Sequence, residues 1–240
     1  MLNPFDQAVL GFLNRFAQRS PTFDDLVVLV NDNNLLKGGF IMALYWWAWF
    51  RHGEERKEKR EYLLFAMIAG AFAVLVARIL AGTLLPFRLR PALDSSLNFR
   101  IPFYFNPFGY LTWSSFPSDN ATLFFCLAAG LWFVCRLTGA IATAYVFFIV
   151  CLPRIHLGIH FPTDIIGGGI LGIAMASLAR ISWLKRVATR YLEAWPEKYP
   201  ALFYSAMFLY SFEVGEVFTG ALVIIRKALS AMHLHHLRGF

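Results

Sequence analysis

The feature that most restricts the fold of this chain is a succession of long apolar segments. A membrane-spanning helix needs about 20 mostly apolar residues, and six segments come near that length: 35–50, 62–85, 119–136, 138–154, 162–181 and 199–225. Hydrophobic residues make up 58% of the chain and charged residues only 15%, whereas about 25% of residues are charged in soluble domains. This composition excludes a soluble domain and a disordered chain. It predicts an all-α polytopic membrane bundle with six transmembrane helices.

The residues before the first apolar segment have a different pattern. Apolar side chains recur at helical spacing beside Asn14 and Arg15, which predicts an amphipathic helix lying on the membrane surface. We therefore expect three parts in the chain: an N-terminal interfacial segment at 1–34, a six-span domain at 35–226 and a C-terminal tail at 227–240.

Basic residues in the loops predict the orientation, because Lys and Arg accumulate on the cytoplasmic side of a membrane. The loops 51–61 and 180–198 each hold five of them, and a six-span scheme puts both loops on one side, which we assign as cytoplasmic. The loop 86–118, the turn 154–161 and both termini then lie outside. We expect a bacterial inner membrane, with the polar residues of these outer segments on the periplasmic side.

The net charge of +7 raises nucleic acid as a partner, but the sequence carries no nucleic-acid-binding motif. Basic residues that flank spans and face anionic lipid explain the excess. We therefore expect membrane lipids as partners, and no nucleic acid. The oligomeric state stays open, because Gly168 and Gly172 allow close helix contact either within the bundle or between copies.

Three arginines on the predicted outer side stand close to span ends: Arg88, Arg90 and Arg154. Each of them alone fits an interfacial anchor. Together they offer planar, charge-assisted donors suited to phosphate oxygens. Ser118 adds a hydroxyl where the third span begins, and backbone N–H groups at a helix start can face an anion. The sequence therefore predicts a phosphate-binding site formed by Arg88, Arg90, Ser118 and Arg154.

His160 and Asp164 are four residues apart, so they share a face if one helix includes both. A carboxylate that holds one imidazole nitrogen leaves the other available as nucleophile or base. His156 and His160 have the same spacing and raise a metal site as the alternative, but a single nearby carboxylate and the lack of a third strong ligand argue against it. We therefore expect phosphoryl chemistry at His160 and Asp164, with no metal and no cofactor.

These residues resemble the motifs of the type 2 phosphatidic acid phosphatase (PAP2) superfamily, over roughly residues 60–185. The three motifs of that family are K-x6-RP, PSGH and SR-x5-H-x3-D. Seven residues match them in order and spacing: Arg90 and Pro91 in the first, Pro117 and Ser118 in the second, and Arg154, His160 and Asp164 in the third. The resemblance implies a helical membrane phosphatase that acts on lipid phosphates without a metal. His160 would be the nucleophile that forms a phosphohistidine, and Asp164 would orient it.

The chain departs from the family pattern at four positions, which are Thr83, Asp119, Asn120 and Pro153. Thr83 stands where the first motif has its Lys. Arg78, inside the second span, or Arg88, beside the motif, can supply the missing charge, and we expect Arg88 because of its position. Asp119 in place of Gly is a mild change, and Pro153 in place of Ser removes one hydroxyl donor.

The largest departure is Asn120, where the family has a His that acts as general acid. The Asn side chain donates a hydrogen bond but delivers no proton at neutral pH. General acid help is worth about 10²–10⁴-fold, and it matters most for a poor leaving group. A lipid monophosphate expels an alkoxide, whereas a lipid pyrophosphate expels a phosphate monoester, which leaves more easily. We therefore count Asn120 with His160 and Asp164 as catalytic and expect a substrate such as a polyprenyl pyrophosphate.

Other interpretations of the same residues stay open at this point. Asn120 can be an inactivating substitution that slows turnover. The enzyme can pass the phosphoryl group from a lipid pyrophosphate to an acceptor other than water, or hydrolyse phosphatidylglycerophosphate or phosphatidic acid. The chain can also be a catalytically silent lipid-phosphate binder, although the retained pair of His160 and Asp164 argues against it. A transporter fits less well, because the charged residues lie at one face rather than in mid-membrane.

The segment 97–116 is rich in aromatic residues. It holds Phe99, Phe103, Tyr104, Phe105, Phe108, Tyr110, Trp113 and Phe116. Two functions fit this composition equally: a wall or lid that guides a lipid chain to the site, and an aromatic belt at the membrane interface.

Overall fold

The computed structural model describes residues 3–51, 55–221 and 223–224. Over these residues it consists of helices and connecting turns and contains no strand, as the sequence predicts for an all-α protein. The C-terminal tail expected at 227–240 lies outside the described residues, and the boundaries of the three expected parts stay predictions.

Two short helices open the described chain, α1 (Pro4–Asn14) and α2 (Pro21–Asp32). Each starts with a proline, which fits the first helical turn because its missing N–H would have no helical partner there. The side chains of Asn3 and Ser20 accept backbone N–H groups of these first turns and so define where the helices begin.

The following helices form the bundle, and they are joined by turns of varied length. In chain order they are α3 (Phe40–Phe50), α4 (Arg56–Ile79), α5 (Asp119–Val134), α6 (Arg136–Tyr145), α7 (Leu152–His156), α8 (Pro162–Ser177), α9 (Ser182–Thr189), α10 (Trp195–Lys198) and α11 (Pro200–Gly215). Three π-helical stretches extend them: Leu35–Gly39 before α3, Leu80–Leu84 after α4 and Val146–Cys151 between α6 and α7.

Three continuous helices in the described part of the chain are long and apolar enough to cross a membrane: Arg56–Leu84, Arg136–His156 and Pro162–Arg180. They correspond to the second, fourth and fifth predicted spans. The third predicted span forms α5, which is apolar but has 16 residues. The protein is therefore a helical integral membrane protein, while the count of six spans stays a prediction.

Helix α5 lies at the centre of the bundle, packed between α4 and α8. Its buried side carries Leu123 and Phe124, both fully excluded from the surface. Helix α8 approaches it through Gly172, where a Cβ atom would lie 2.9 Å from the backbone nitrogen of Cys126 and even nearer to the carbonyl oxygen of Thr122. Only glycine allows this approach. The close helix contact that the sequence left open is thus made within the bundle.

The basic loops and the predicted site lie at opposite ends of α4. At its first turns, Lys185 of α9 bridges Glu58 and Glu61, with N···O distances of 3.6 and 3.5 Å. This contact brings the loops 51–61 and 180–198 to one end of the bundle. The last turns of α4 lead into the loop 86–118, which carries the first motif. The side of the membrane on which each end lies stays a prediction.

The two N-terminal helices are tied to the site end of the bundle through buried carboxylates. α1 packs against α7 and α8, and α2 packs against α7. Asp6 of α1 and Asp24 of α2 are both fully buried. Asp24 accepts the backbone N–H groups of Gln18 and Phe103, each at 2.9 Å, and so joins α2 to the aromatic loop. A buried carboxylate requires such partners. The expected location of these helices on the membrane surface stays a prediction.

Candidate active site

A cavity of about 450 Å³ lies between the last turns of α4 and the start of α5, and this volume is in the range of small-ligand pockets. Its polar lining residues are Arg78, Arg90, Thr112, Ser114, Asp119 and His160. Its apolar lining includes Ala77, Ala81, Leu85 and Phe87. A ligand with an anionic head and an apolar chain matches both parts of this lining.

His160 lies in the turn between α7 and α8, and its ring is almost fully buried. Nδ1 lies 2.9 Å from the carbonyl oxygen of Ser115. A carbonyl oxygen only accepts, so Nδ1 carries the hydrogen in the neutral ring. Nε2 then keeps its lone pair, and it lies 3.4 Å from Nη1 of Arg90 in the cavity wall. The backbone thus holds one ring nitrogen, while the other is directed towards the cationic part of the cavity.

The protonation state of His160 follows from its surroundings. Burial lowers the pKa of His160 below the usual value of 6.5, Arg90 and Arg154 lower it further, and Asp164 raises it. Burial is also the main reason why the pKa of Arg90 is lowered, although a guanidinium stays charged in proteins. The ring of His160 is therefore neutral at pH 7, with an available lone pair on Nε2.

Asp164 is fully buried and caps the start of α8, because its Oδ2 accepts the backbone N–H of Phe161 at 2.7 Å. Its Oδ1 accepts Nη1 of Arg88 at 2.5 Å. The distance from Oδ2 to Nδ1 of His160 is 3.7 Å, which is too long for a hydrogen bond but short for an electrostatic interaction. The sequence predicts that Asp164 holds the ring directly; in the structure the carbonyl of Ser115 lies at hydrogen-bond distance from Nδ1, and the carboxylate of Asp164 lies farther away.

Arg88 lies behind His160 and is not part of the cavity wall. Its Nη1 donates to Oγ1 of Thr163 at 2.8 Å and to Asp164, and its Nη2 donates to Oδ2 of Asp6 at 2.7 Å. The guanidinium stacks on the ring of Phe161, with 4.0 Å between Cζ and the centroid. This differs from the direct phosphate contact expected for Arg88, and the reason is Asp6, a carboxylate distant in sequence that turns the guanidinium inward.

Arg78 lines the cavity where Arg88 does not. Its Nη2 donates to the carbonyl oxygen of Val217 at 2.7 Å and lies 3.3 Å from Oδ2 of Asp119. Its Nε and Nη1 are buried and have no hydrogen-bond partner within the described residues. Buried donors without partners are costly, and among the residues that the structure describes the guanidinium of Arg78 keeps only Val217 and Asp119 as partners at the cavity wall. Of the two arginines that can replace the charge missing at Thr83, the structure favours Arg78.

Arg90 is the second cation of the cavity wall, and it is held by backbone carbonyls. Nη1 donates to the carbonyl of Ile159 at 2.9 Å, and Nε donates to that of Trp113 at 3.3 Å. Its Cζ lies 4.9 Å from the ring centroid of Tyr110. These contacts fix a charged, planar donor group next to Nε2 of His160.

The other three predicted residues are buried at the same end of the bundle. Arg154 has an Nε without a partner in the described structure. Ser118 caps α5 by accepting the N–H of Ala121 at 3.4 Å, and the side chain of Asn120 donates to Oδ1 of Asp119 at 2.9 Å. Asp119 also accepts the backbone N–H of Asn120. Two of the N–H groups expected to bind an anion at this helix start, those of Asn120 and Ala121, therefore donate to side chains of the same turn.

His156 does not share a set of ligands with His160. Its ring packs edge-on against Phe23, with 5.5 Å between centroids, and its Nε2 lies 3.6 Å from Oδ1 of Asp24. Across the residues that the structure describes, no group of three or more His, Cys, Asp or Glu is arranged to hold a metal ion.

Different residues of the aromatic loop fit the two functions that the sequence left open. Trp113 lines the cavity and Tyr110 contacts Arg90, as expected for a wall of the site. Tyr104 and Phe108 are among the most exposed large side chains of the protein, at 72% and 66%, as expected for a belt facing lipid.

Three residues that shape the site were not assigned a function from the sequence. Ser115 contributes only its carbonyl, which every residue carries, so no sequence signal could identify it. Asp6 lies far from the motifs, and nothing near it indicates a partner. Asp119 did carry a signal, because a carboxylate next to Ser118 in a membrane protein needs a cation, and Arg78 is a cation inside a predicted span.

Comparison with known proteins reveals three relatives. "Putative undecaprenyl-diphosphatase YbjG" of Escherichia coli (strain K12) is 24% identical over 185 residues, which are 76% of this chain and 85% of the relative. "Lipid A 1-diphosphate synthase" of the same organism is 26% identical over 175 residues, covering 70% and 71%. "Bacitracin transport permease protein BcrC" of Bacillus licheniformis is 26% identical over 122 residues, covering 50% and 54%. No solved structure matches this chain.

The profile of the PAP2 superfamily matches residues 62–188, which is more than half of the chain. This range contains His160, both cavity arginines and the two helix starts that frame them. The motif spacing and the family match therefore agree, and the chain belongs to the PAP2 superfamily.

Proposed function

We propose that this protein is an integral-membrane lipid phosphatase that removes the terminal phosphate of a polyprenyl pyrophosphate through a phosphohistidine at His160. The observation that carries the proposal is the arrangement of the His160 ring, with Nδ1 held by Ser115 and Nε2 beside Arg90. The amphipathic cavity and the names of the relatives, two of which refer to lipid diphosphates, support the substrate class.

In the proposed reaction, the Nε2 lone pair of His160 attacks the terminal phosphorus. The bond from that phosphorus to the bridging oxygen breaks, and its electron pair leaves with the lipid monophosphate. Arg90 stabilises the charge on the transferred phosphoryl oxygens, and Arg78 binds the anionic head group. Asp164 stabilises the positive charge that the ring acquires. Water then attacks the phosphorus, its proton passes to the departing phosphate or to solvent, and Nε2 is restored. These steps require no metal and no cofactor.

The residues around Asn120 support a pyrophosphate rather than a monophosphate. Its amide donates to Asp119, and an amide delivers no proton to a leaving oxygen. A phosphate monoester leaves without that proton far more readily than an alkoxide does. Asn120 belongs to the site as a neutral group that holds Asp119, and its identity sets the leaving group that the enzyme accepts.

The proposed phosphate-binding residues are Arg90 and Arg78, which line the cavity, together with Arg154 and Ser118, which are buried at the same end of the bundle. Arg88 contributes through Asp164. The site lies at the end of the bundle opposite the basic loops 51–61 and 180–198, which supports a periplasmic active site in a bacterial inner membrane.

The test measures phosphate release by the purified protein in detergent from a polyprenyl pyrophosphate and the matched monophosphate. We expect release from the pyrophosphate and a covalent phosphohistidine that is trapped by acid-free denaturation of an enzyme incubated with labelled substrate. His160→Gln should abolish both signals. His156→Gln is the matched control, because His156 is also a buried histidine but lies outside the cavity. Phosphate release that survives His160→Gln would refute the mechanism, and binding without release would indicate a silent lipid-phosphate binder.

A further inference from the structure

We propose that Asp6, at the start of α1, is a positioning residue for the active site: it divides the guanidinium of Arg88 between two carboxylates and thereby preserves the negative charge of Asp164 next to His160. This inference rests on the proposed function of His160, and it concerns a helix that lies outside the 62–188 region matched by the family.

The carboxylate of Asp6 is fully buried, and both of its oxygens are satisfied. Oδ1 accepts the backbone N–H of Thr163 at 2.9 Å. Oδ2 accepts Oγ1 of Thr163 at 2.6 Å, Nη2 of Arg88 at 2.7 Å and Nδ2 of Asn3 at 2.8 Å. Two of these partners belong to the residue that precedes Asp164. Asp6 therefore anchors α1 directly to the first turn of α8.

The charges of this cluster do not cancel. Arg88 supplies one positive charge, whereas Asp6 and Asp164 supply two negative charges, and the guanidinium is held flat on Phe161 between them. If neutralising Asp164 were the only function of Arg88, a second buried carboxylate would be unnecessary and costly. With Asp6 present, one end of the guanidinium is committed to α1 and only the other end to Asp164.

The surplus negative charge lies on the Nδ1 side of His160, opposite Arg90. The ring becomes cationic when it takes up the phosphoryl group, so this charge stabilises the intermediate more than the free enzyme. Without Asp6, the whole guanidinium can pair with Asp164, and the ring loses part of that stabilisation. Asp6 thus acts on the chemical step through Arg88 and not on the binding of the substrate.

A double-mutant cycle tests this action. The variants are Asp6→Asn, Arg88→Gln and the double variant, and Asp25→Asn on the exposed surface of α2 is the matched control. We expect Asp6→Asn to lower kcat about tenfold with KM unchanged, since one charge acting through a neighbour is removed. In the Arg88→Gln background the same substitution should have no further effect on kcat. A loss of equal size in both backgrounds, or an effect no larger than that of Asp25→Asn, would overturn the proposal.

A second measurement does not depend on turnover. In protein labelled with ¹⁵N-histidine, the signal of His160, assigned with His160→Gln, is titrated in the parent and in Asp6→Asn. The charged groups around the ring, Asp164, Arg90, Arg154 and Asp119, are the same in both proteins. We expect the midpoint to move to lower pH in Asp6→Asn, because a negative charge that favours the protonated ring is lost. An unchanged midpoint refutes the role of Asp6. A parent that releases no phosphate but shows the shift refutes the proposed function alone.

Discussion

The two sides of the His160 ring differ in how completely their charged groups are satisfied. On the Nδ1 side, Asp164, Arg88 and Asp6 form hydrogen bonds with one another at 2.5 to 2.7 Å. On the Nε2 side, Arg78 leaves two buried donors without a partner among the described residues. The charged groups of the first side pair with one another, whereas the second side keeps unpaired donors within the described structure.

This difference separates positioning from binding. A saturated network of buried charges fixes geometry, because any movement would leave one charge uncompensated. Buried donors without a partner destabilise the free protein and are compensated by a ligand that accepts their hydrogen bonds. Substitutions on the Nδ1 side should therefore change the chemical step, and substitutions on the Nε2 side should change the stabilisation of the phosphoryl group.

The largest effect is expected on the Nε2 side, at Arg90. Arg90→Gln should lower kcat/KM by about 10²–10³-fold, because a preorganised charge next to the attacked phosphoryl group is lost. Phosphate release from a polyprenyl pyrophosphate measures it. Arg100→Gln, an exposed arginine of the same loop, is the control and should have no effect. A loss below about fivefold would contradict the assigned contact of Arg90 with the phosphoryl group.

The next effect concerns the leaving group, which is also bound on the Nε2 side. Asn120→His should raise activity on the polyprenyl monophosphate by about 10²-fold, the lower end of general acid catalysis, and change pyrophosphate hydrolysis much less. The measurement is the ratio of the hydrolysis rates on the monophosphate and the pyrophosphate, because this ratio does not depend on the amount of folded protein. A gain of equal size on both substrates would show that Asn120 disables the site in general and does not select the leaving group.

The sequence reveals more of the Nε2 side of the His160 ring than of the Nδ1 side. The motifs contain Arg90 and His160 of the Nε2 side, whose spacing follows a known pattern, but they do not contain Arg78. The Nδ1 side depends on tertiary contacts. The carbonyl of Ser115 has no sequence signature, and Asp6 meets Arg88 only after 82 residues of chain have folded. This contact keeps Arg88 out of the cavity wall, where Arg78 lies instead.

The fold, like the site, is only partly predicted by the sequence. Apolar length predicts helices well, and the segments at 62–85, 138–154 and 162–181 all form helices long enough to span a membrane. Hydropathy does not reveal that the N-terminal helices insert buried aspartates into the bundle. Such contacts depend on which polar groups lie together after packing, and a single sequence does not indicate those pairs.

A smaller effect is expected when Arg78 and Arg88 are replaced one at a time. It tests whether substrate binding and positioning depend on different arginines. Arg78→Gln should raise KM about tenfold and leave kcat nearly unchanged, because a charge-assisted contact with the bound anion is lost. Arg88→Gln should change kcat at unchanged KM, since Arg88 contacts Asp164 and not the cavity. Steady-state kinetics on the pyrophosphate separates the two parameters. The reverse assignment would restore Arg88 as the phosphate ligand that replaces the missing Lys at Thr83.

The smallest effect is a shift in pH dependence, with opposite signs for the two sides. The neutral ring of His160 is the reactive form, so kcat/KM rises with pH through the pKa of that ring. Because burial lowers this pKa, the acidic limb should lie below pH 6.5. Asp164 raises the pKa and Arg90 lowers it. Asp164→Asn should therefore move the limb to lower pH and Arg90→Gln to higher pH, each by about one unit or less. Shifts in the same direction would show that Asp164 and Arg90 do not have opposite effects on the pKa of His160.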